Sequence, residues 1–141
     1  MARPRTILCI DNQRNALVAR KLLLENSGYQ VLEASGGDEA LQLFRSQPVD
    51  AVVLDDQIAA TNGDVVASKM KSIRSNVPIM LLLGRGSLPD GDLGSIDSFV
   101  SKSQDPAKLL ATLRHLLNAQ SKPFFSRWLD HWKDRNQAVK L

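Results

Sequence analysis

In the stretch VDAVVLDDQIAATNG, the apolar run Ala51 to Leu54 ends on two adjacent carboxylates, Asp55 and Asp56, and a small-residue turn follows as far as Gly63. A second apolar run, TILCI, ends on Asp11 and Asn12, and Lys102 comes two residues after a third run, Ser98 to Val100. Carboxyl groups facing a lysine would make a poor core. They suit a hard cation and a phosphoryl group, since oxygen ligands hold the cation and the ammonium neutralises phosphoryl oxygens. That chemistry requires three segments, far apart in the chain, to meet at one place.

The elements that could bring them together follow from hydrophobic period and punctuation. TILCI reads as a buried strand, and Asn12 to Ser27 places Ala16, Leu17, Ala19, Leu22, Leu23 and Leu24 at helical spacing before the stop signal Gly28. Tyr29 to Ala34 is a second strand, followed by a helix from about Asp38 to Gln47 with Asp38 and Glu39 in its first turn, where the helix dipole favours them. Ala51 to Leu54 forms a third strand, apolar on both faces, as in sheets covered on both sides. Asp64 is placed to cap a helix from Val65 to Arg74. Pro78 to Leu83 and Ser98 to Val100 are the fourth and fifth strands. A last helix starts after Asp105 with Pro106 at its first position and runs to about Ala119. Alternating strands and helices predict an α/β fold, a doubly wound five-stranded parallel sheet. Ligands then bind beyond the carboxyl ends of the strands, where Asp11, Asn12, Asp55, Asp56 and Lys102 all fall. The fourth crossover, GRGSLPDGDLGS, is too rich in glycine for a normal helix, so the fourth helix is expected to be degenerate, a loop or a short frayed turn.

ILCIDN, DAVVLDDQIAATNG, VPIMLLLG and DSFVSKSQDPAKLL together resemble the landmark segments of the two-component response-regulator receiver domain, similar to the single-domain chemotaxis receivers, over Arg5 to about Leu117. The resemblance implies the flavodoxin-like strand order 2-1-3-4-5. It also implies that Asp55 is the phosphoacceptor, that Lys102 contacts the phosphate, and that Mg2+ is held by Asp11, Asn12, Asp55 and the backbone carbonyl of Gln57. The partners implied are a sensor histidine kinase or phosphotransfer protein upstream and a separate output protein downstream. The domain is then a phosphoacceptor in a phosphorelay and not an enzyme, beyond self-phosphorylation from a donor.

The sequence departs from the family pattern at several positions. Asn12 replaces a second acid, which removes one negative charge and lowers the expected Mg2+ affinity. Leu83 replaces the Thr or Ser whose hydroxyl contacts the phosphoryl oxygen, whereas Phe99 matches the aromatic switch position. Ser103 replaces the proline after the lysine, and without it a cis bond is not expected. Asp56 stands where the family is usually apolar, and strand alternation predicts that its carboxylate points away from that of Asp55. These departures support an alternative, a phosphate-independent pseudo-receiver that acts as an interaction module. An aspartyl-phosphate hydrolase of similar build would need Asp-x-Asp after the first strand, and here the residues are Asp11-Asn12-Gln13.

The receiver is assigned residues 1–120 and the remainder, 121–141, is an extra amphipathic tail. In SKPFFSRWLDHWKDRNQAVKL, Phe124, Phe125, Trp128, Leu129 and Trp132 recur at helical spacing. Such a stripe would fold back on its own domain, join two copies of the chain or a partner through Phe124, Trp128 and Trp132, or, as the least favoured reading, touch a membrane surface or nucleic acid. The net charge of +3 resides in this tail, which carries five basic and two acidic residues, while the rest has 13 of each. There is accordingly no basic face to argue strongly for nucleic acid. The longest apolar run, Val77 to Leu83, is far short of the roughly 20 residues of a membrane helix. The single Cys9 cannot form an internal disulfide, which fits a cytoplasmic, reducing location. His115 and His131 lack ligand-spaced partners, and the pair Arg20-Lys21 reads as a solvated helix face.

Overall fold

The computed structural model describes residues 3–58, 63–84 and 93–121. Five strands, β1 (Thr6–Ile10), β2 (Gln30–Ala34), β3 (Ala51–Asp55), β4 (Ile79–Leu83) and β5 (Ser98–Ser101), alternate with helices α1 (Arg14–Asn26), α2 (Gly37–Ser46), α3 (Gly63–Ile73) and α4 (Pro106–Ser121). All neighbouring pairs are parallel, and the sheet order is β2-β1-β3-β4-β5, as expected. Most of the glycine-rich crossover and the amphipathic tail lie outside the described residues. Among the described residues no helix separates β4 from β5.

The period of two along each strand sorts the core into two layers. Leu8, Ile10, Val52, Leu54, Ile79, Leu81 and Leu83 face α2 and α3, meeting Leu41, Phe44, Val66 and Met70. Ile7, Cys9, Ala51, Val53, Met80, Leu82 and Val100 face α1 and α4, meeting Leu17, Leu24, Leu109, Leu113 and Leu117. The central strands are apolar on both sides because both sides are covered.

Helix boundaries follow local chemistry. At the end of α1, Gly28 takes φ 94°. There the Gly28 N–H donates to Glu25 O at 3.0 Å and the Tyr29 N–H to Leu24 O at 3.1 Å, the paired bonds of a Schellman stop, with Tyr29 packed against the core layer that contains Leu24. At the start of α4, Asp105 Oδ1 accepts from the Ala107 N–H at 2.9 Å, the cap that places Pro106 at the first position. Asp64 differs from expectation. Helix α3 begins at Gly63, so Asp64 sits inside its first turn rather than capping it. The reason is close packing: a Cβ on Gly63 would lie 3.0 Å from the Asp55 carbonyl oxygen, so only glycine lets the helix start against the end of β3.

Candidate functional site

The register of the sheet carries the site. Cys9 pairs with Val53, and both face α1 and α4, so two residues further on Asp11 and Asp55 lie beside each other on that same face. Val100 pairs with Leu82 on the same face, and Lys102 is again two residues beyond. Its backbone N–H continues the ladder by donating to Leu83 O at 2.9 Å. Three residues from three strand ends therefore meet, as the sequence predicts.

Both carboxylates are buried, Asp11 at 0% and Asp55 at 1% exposure. Burying ionised carboxylates is costly unless cations compensate them. Lys102 Nζ lies 2.6 Å from Asp55 Oδ1 and 3.9 Å from Asp11 Oδ2. The contact to Asp55 is an ion pair without hydrogen-bond alignment, so Asp55 Oδ1 remains a buried acceptor with no donor. Asp11 is better satisfied. Its Oδ1 accepts from the Gln13 N–H at 2.9 Å, and its Oδ2 from Arg20 Nη1 at 3.2 Å.

Arg20 corrects the reading of Arg20-Lys21 as a solvated pair. Lys21 does pair at the surface, with Glu25 and Glu33, but the Arg20 side chain is only 10% exposed and turns inward to Asp11. The signal was available in the spacing: Arg20 follows Leu17 by three residues and precedes Leu24 by four, which puts it on the buried stripe of α1. A cation on an apolar stripe needs an anion beneath it, and Asp11 supplies one.

Asp56 is the second correction. Strand β3 ends at Asp55, and Asp56 lies in the bend beyond it, where pleat alternation no longer directs the side chain. Its N–H still donates to Leu82 O at 3.2 Å. Burial pushes the Asp56 carboxyl up from its ordinary value, and the Asp55 charge and a hydrogen-bonding approach to that carboxylate push it the same way, against Lys102 and the Gly84 backbone N–H. The two carboxylates are neighbours.

The remaining predicted positions are arranged around this centre. Asn12, next to Asp11 in the chain, and Gln57, next to Asp56, are exposed. Leu83 is 7% exposed and packs in the layer facing α2 and α3, on the other side of the sheet from Asp11 and Cys9. Phe99 pairs with Leu81 and is 37% exposed on the edge strand. Ser103 joins Ser101 through their hydroxyls at 2.8 Å, closing the turn after Lys102 with trans peptide bonds. Cys9 lies beneath the site, and burial pushes its thiol up to about 12, so it behaves as a small apolar side chain.

The donor set fits a divalent cation in part. Buried Asp56 Oδ1 lacks a hydrogen-bond donor, and Asp55 Oδ1 has only the Lys102 ammonium beside it, so both oxygens suit a hard cation. Asp11, in contrast, already has a partner on each oxygen.

A family model for the response regulator receiver domain matches residues 7–114. The probable transcriptional regulator ycf27 of Guillardia theta is 32% identical over 126 residues, which cover 87% of this chain and 49% of that protein. Response regulator MprA of Mycolicibacterium vanbaalenii is 33% identical over 117 residues, covering 81% and 51%. The chain thus spans about half the length of these relatives. Among solved structures, response regulator protein TrrA from Thermotoga maritima, in complex with Mg2+ and BeF, superposes with a TM-score of 0.76 at 28% identity, covering 79% of this chain and 98% of that one. A CheY-like receiver domain from Methanospirillum hungatei reaches 0.78 at 23% identity, covering 83% and 96%, which speaks for the fold.

Proposed function

Since the chain belongs to the response-regulator receiver family, we propose that Asp55 accepts a phosphoryl group and that the domain signals through protein contacts as part of a two-component relay. The observation that carries this reading is the buried Asp55 carboxylate with Lys102 Nζ at 2.6 Å. An Asp55 oxygen attacks phosphorus, forming an acyl phosphate as the bond from phosphorus to the donor's nitrogen or oxygen breaks; an imidazole leaving group takes up a proton from water, and the carboxylate of an acyl phosphate donor leaves as the anion. Lys102 is placed to follow the negative charge from the carboxylate onto the phosphoryl oxygens. Asp11, Asn12, Asp55 and the Gln57 carbonyl are the residues that would hold Mg2+, which supplies further neutralisation of those oxygens when bound.

The donors that fit are a phosphohistidine on a sensor kinase or phosphotransfer protein and, for self-phosphorylation, a small acyl phosphate. This makes the chain a signalling domain rather than an enzyme. Residues 1–120 form the receiver in this reading, and 121–141 a tail available for self-docking or for pairing two copies through Phe124, Trp128 and Trp132. No helix among the described residues is long and apolar enough to cross a membrane.

The test is intact mass after incubation with Mg2+ and a small phosphodonor. The natural chain should gain one phosphoryl group, and Asp55→Asn should gain none. Absence of any gain in the natural chain refutes the phosphoacceptor reading and leaves the phosphate-independent interaction module, whose motivation is Leu83, packed into the core with no hydroxyl to offer.

A further inference from the structure

Arg20 is nine-tenths buried, lies on the apolar stripe of α1, and donates to the innermost carboxylate of the site. We propose that Arg20 is a built-in counter-ion of Asp11 that competes with a divalent cation, so that residues of this chain supply much of the charge balance a metal would otherwise provide. The inference rests on the reading of Asp11 and Asp55 as the cation-binding pair.

Three observations support it. The two fully buried carboxylates, Asp11 and Asp55, face two cations, Arg20 and Lys102, so the charges of these four offset one another before any metal arrives, with, among the described residues, only Asp56 beside them in addition. Arg20 takes one acceptor site on Asp11 Oδ2 and the Gln13 N–H one on Oδ1, so a cation must use the remaining lone pairs, beside a guanidinium whose charge opposes it. Finally, α1 leaves open space beside the side chain. Small Ala16 and Ala19 line, with Arg20, Leu82, Lys102 and Leu109, a cavity of about 500 Å³ between α1 and α4. A guanidinium suits the role because it stays protonated at all working pH values and is weakly hydrated, so it tolerates burial against a carboxylate. The loss of an acid at Asn12 acts in the same direction, since it removes a ligand charge that would help a metal win the competition.

The test is calorimetric titration with MgCl2, without phosphodonor, on the full chain. The variants are Arg20→Leu, which continues the apolar stripe, Arg20→Gln, Arg20→Lys, and Lys21→Leu as a surface control with the same charge change. Arg20→Leu and Arg20→Gln should bind Mg2+ at least about tenfold more tightly than the natural chain, the lower end of what one charge within ~4–6 Å does to a carboxylate's affinity for a proton. Their melting temperatures should also rise with added Mg2+ while that of the natural chain barely moves, because Asp11 then depends on the metal for compensation. Arg20→Lys and Lys21→Leu should match the natural chain. Equal Mg2+ affinity in the natural chain and both neutral Arg20 variants overturns the proposal, as does a gain of the same size in Lys21→Leu. Should Arg20→Leu fold poorly, Arg20→Gln decides the question by the same titration. Since the readout is cation binding, failure of Asp55 to take up phosphate would be seen separately, by mass.

Discussion

Lys102→Met removes the ammonium from the site while keeping most of the side chain's stem, so its cost isolates the charge. In the natural chain Lys102 Nζ sits 2.6 Å from Asp55 Oδ1, and the Asp55 side chain is 2% exposed against 29% for Lys102. Breaking a fully buried pair costs roughly 3–5 kcal/mol because one charge is left uncompensated. Here the lysine is partly wet, so solvent screens the pair, and about 2 kcal/mol is the expected loss. Asp11 contributes little to this figure, since it keeps Arg20 at 3.2 Å and stood 3.9 Å from Lys102. For a domain of this size the drop in melting temperature is about 6–10 °C. In an Asp55→Asn background the same Lys102→Met change should cost no more than about 0.5 kcal/mol, giving a coupling energy near 1.5 kcal/mol. Urea denaturation of the four proteins at pH 7 measures it. Single-mutant effects that add to within ~0.5 kcal/mol would show that Lys102 does not compensate Asp55, and the electrostatic account of the site would fall.

Two further perturbations probe the end of β3. The folded state holds the Asp56 proton more tightly than an ordinary carboxyl does, so its contribution favours folding at low pH and is lost as pH rises through the folded value. Asp56→Asn does not ionise. It should melt higher than the natural chain at pH 7, and the gain should disappear below about pH 4, where unfolded carboxyls are protonated too; parallel melting curves across that range would contradict the burial argument. Gly63→Ala places a Cβ 3.0 Å from Asp55 O and 3.2 Å from both Asp56 Cα and Leu81 Cδ1. Overpacking of about 1–3 kcal/mol should outweigh the gain of up to ~1 kcal/mol from replacing a helical glycine, so urea stability falls and phosphoryl uptake slows as the strand end shifts. A variant as stable as the natural chain would mean that the helix moves away freely.

The convergence of Asp11, Asp55 and Lys102 was legible because two simple periods determine it. A parallel α/β sheet places strand ends together, and the alternation of side chains then assigns a face. The misreadings arose where those periods stop applying. Asp56 lies one residue past β3, outside the pleat, and alternation was extended to it wrongly. Asp64 looked like a cap because its type suits one, but the start of α3 is set by how closely Gly63 approaches Asp55 O, a contact between segments that cap chemistry does not encode. A basic pair on a helix is usually solvated, and residue type alone does not set Arg20 apart from Lys21. The place of Arg20 between Leu17 and Leu24 indicated burial, and only the position of Asp11 beneath α1 identifies its partner.

The same alternation bears on how the site could communicate. Asp11 and Lys102 belong to the layer under α1 and α4 by their strand parity, whereas Leu83 packs toward α2 and α3, with Phe99 on its side of the sheet at the edge. A Thr or Ser at position 83 would give the two faces a polar link at the strand end, and leucine gives none. Lys102 supplies a different link. Its side chain meets Asp55 on one face, and its backbone N–H is bonded to the Leu83 carbonyl, the next rung of the β4 and β5 ladder. Any movement of the ammonium toward a phosphoryl group on Asp55 therefore loads the end of β5, the strand that carries Phe99, without involving the Leu83 side chain.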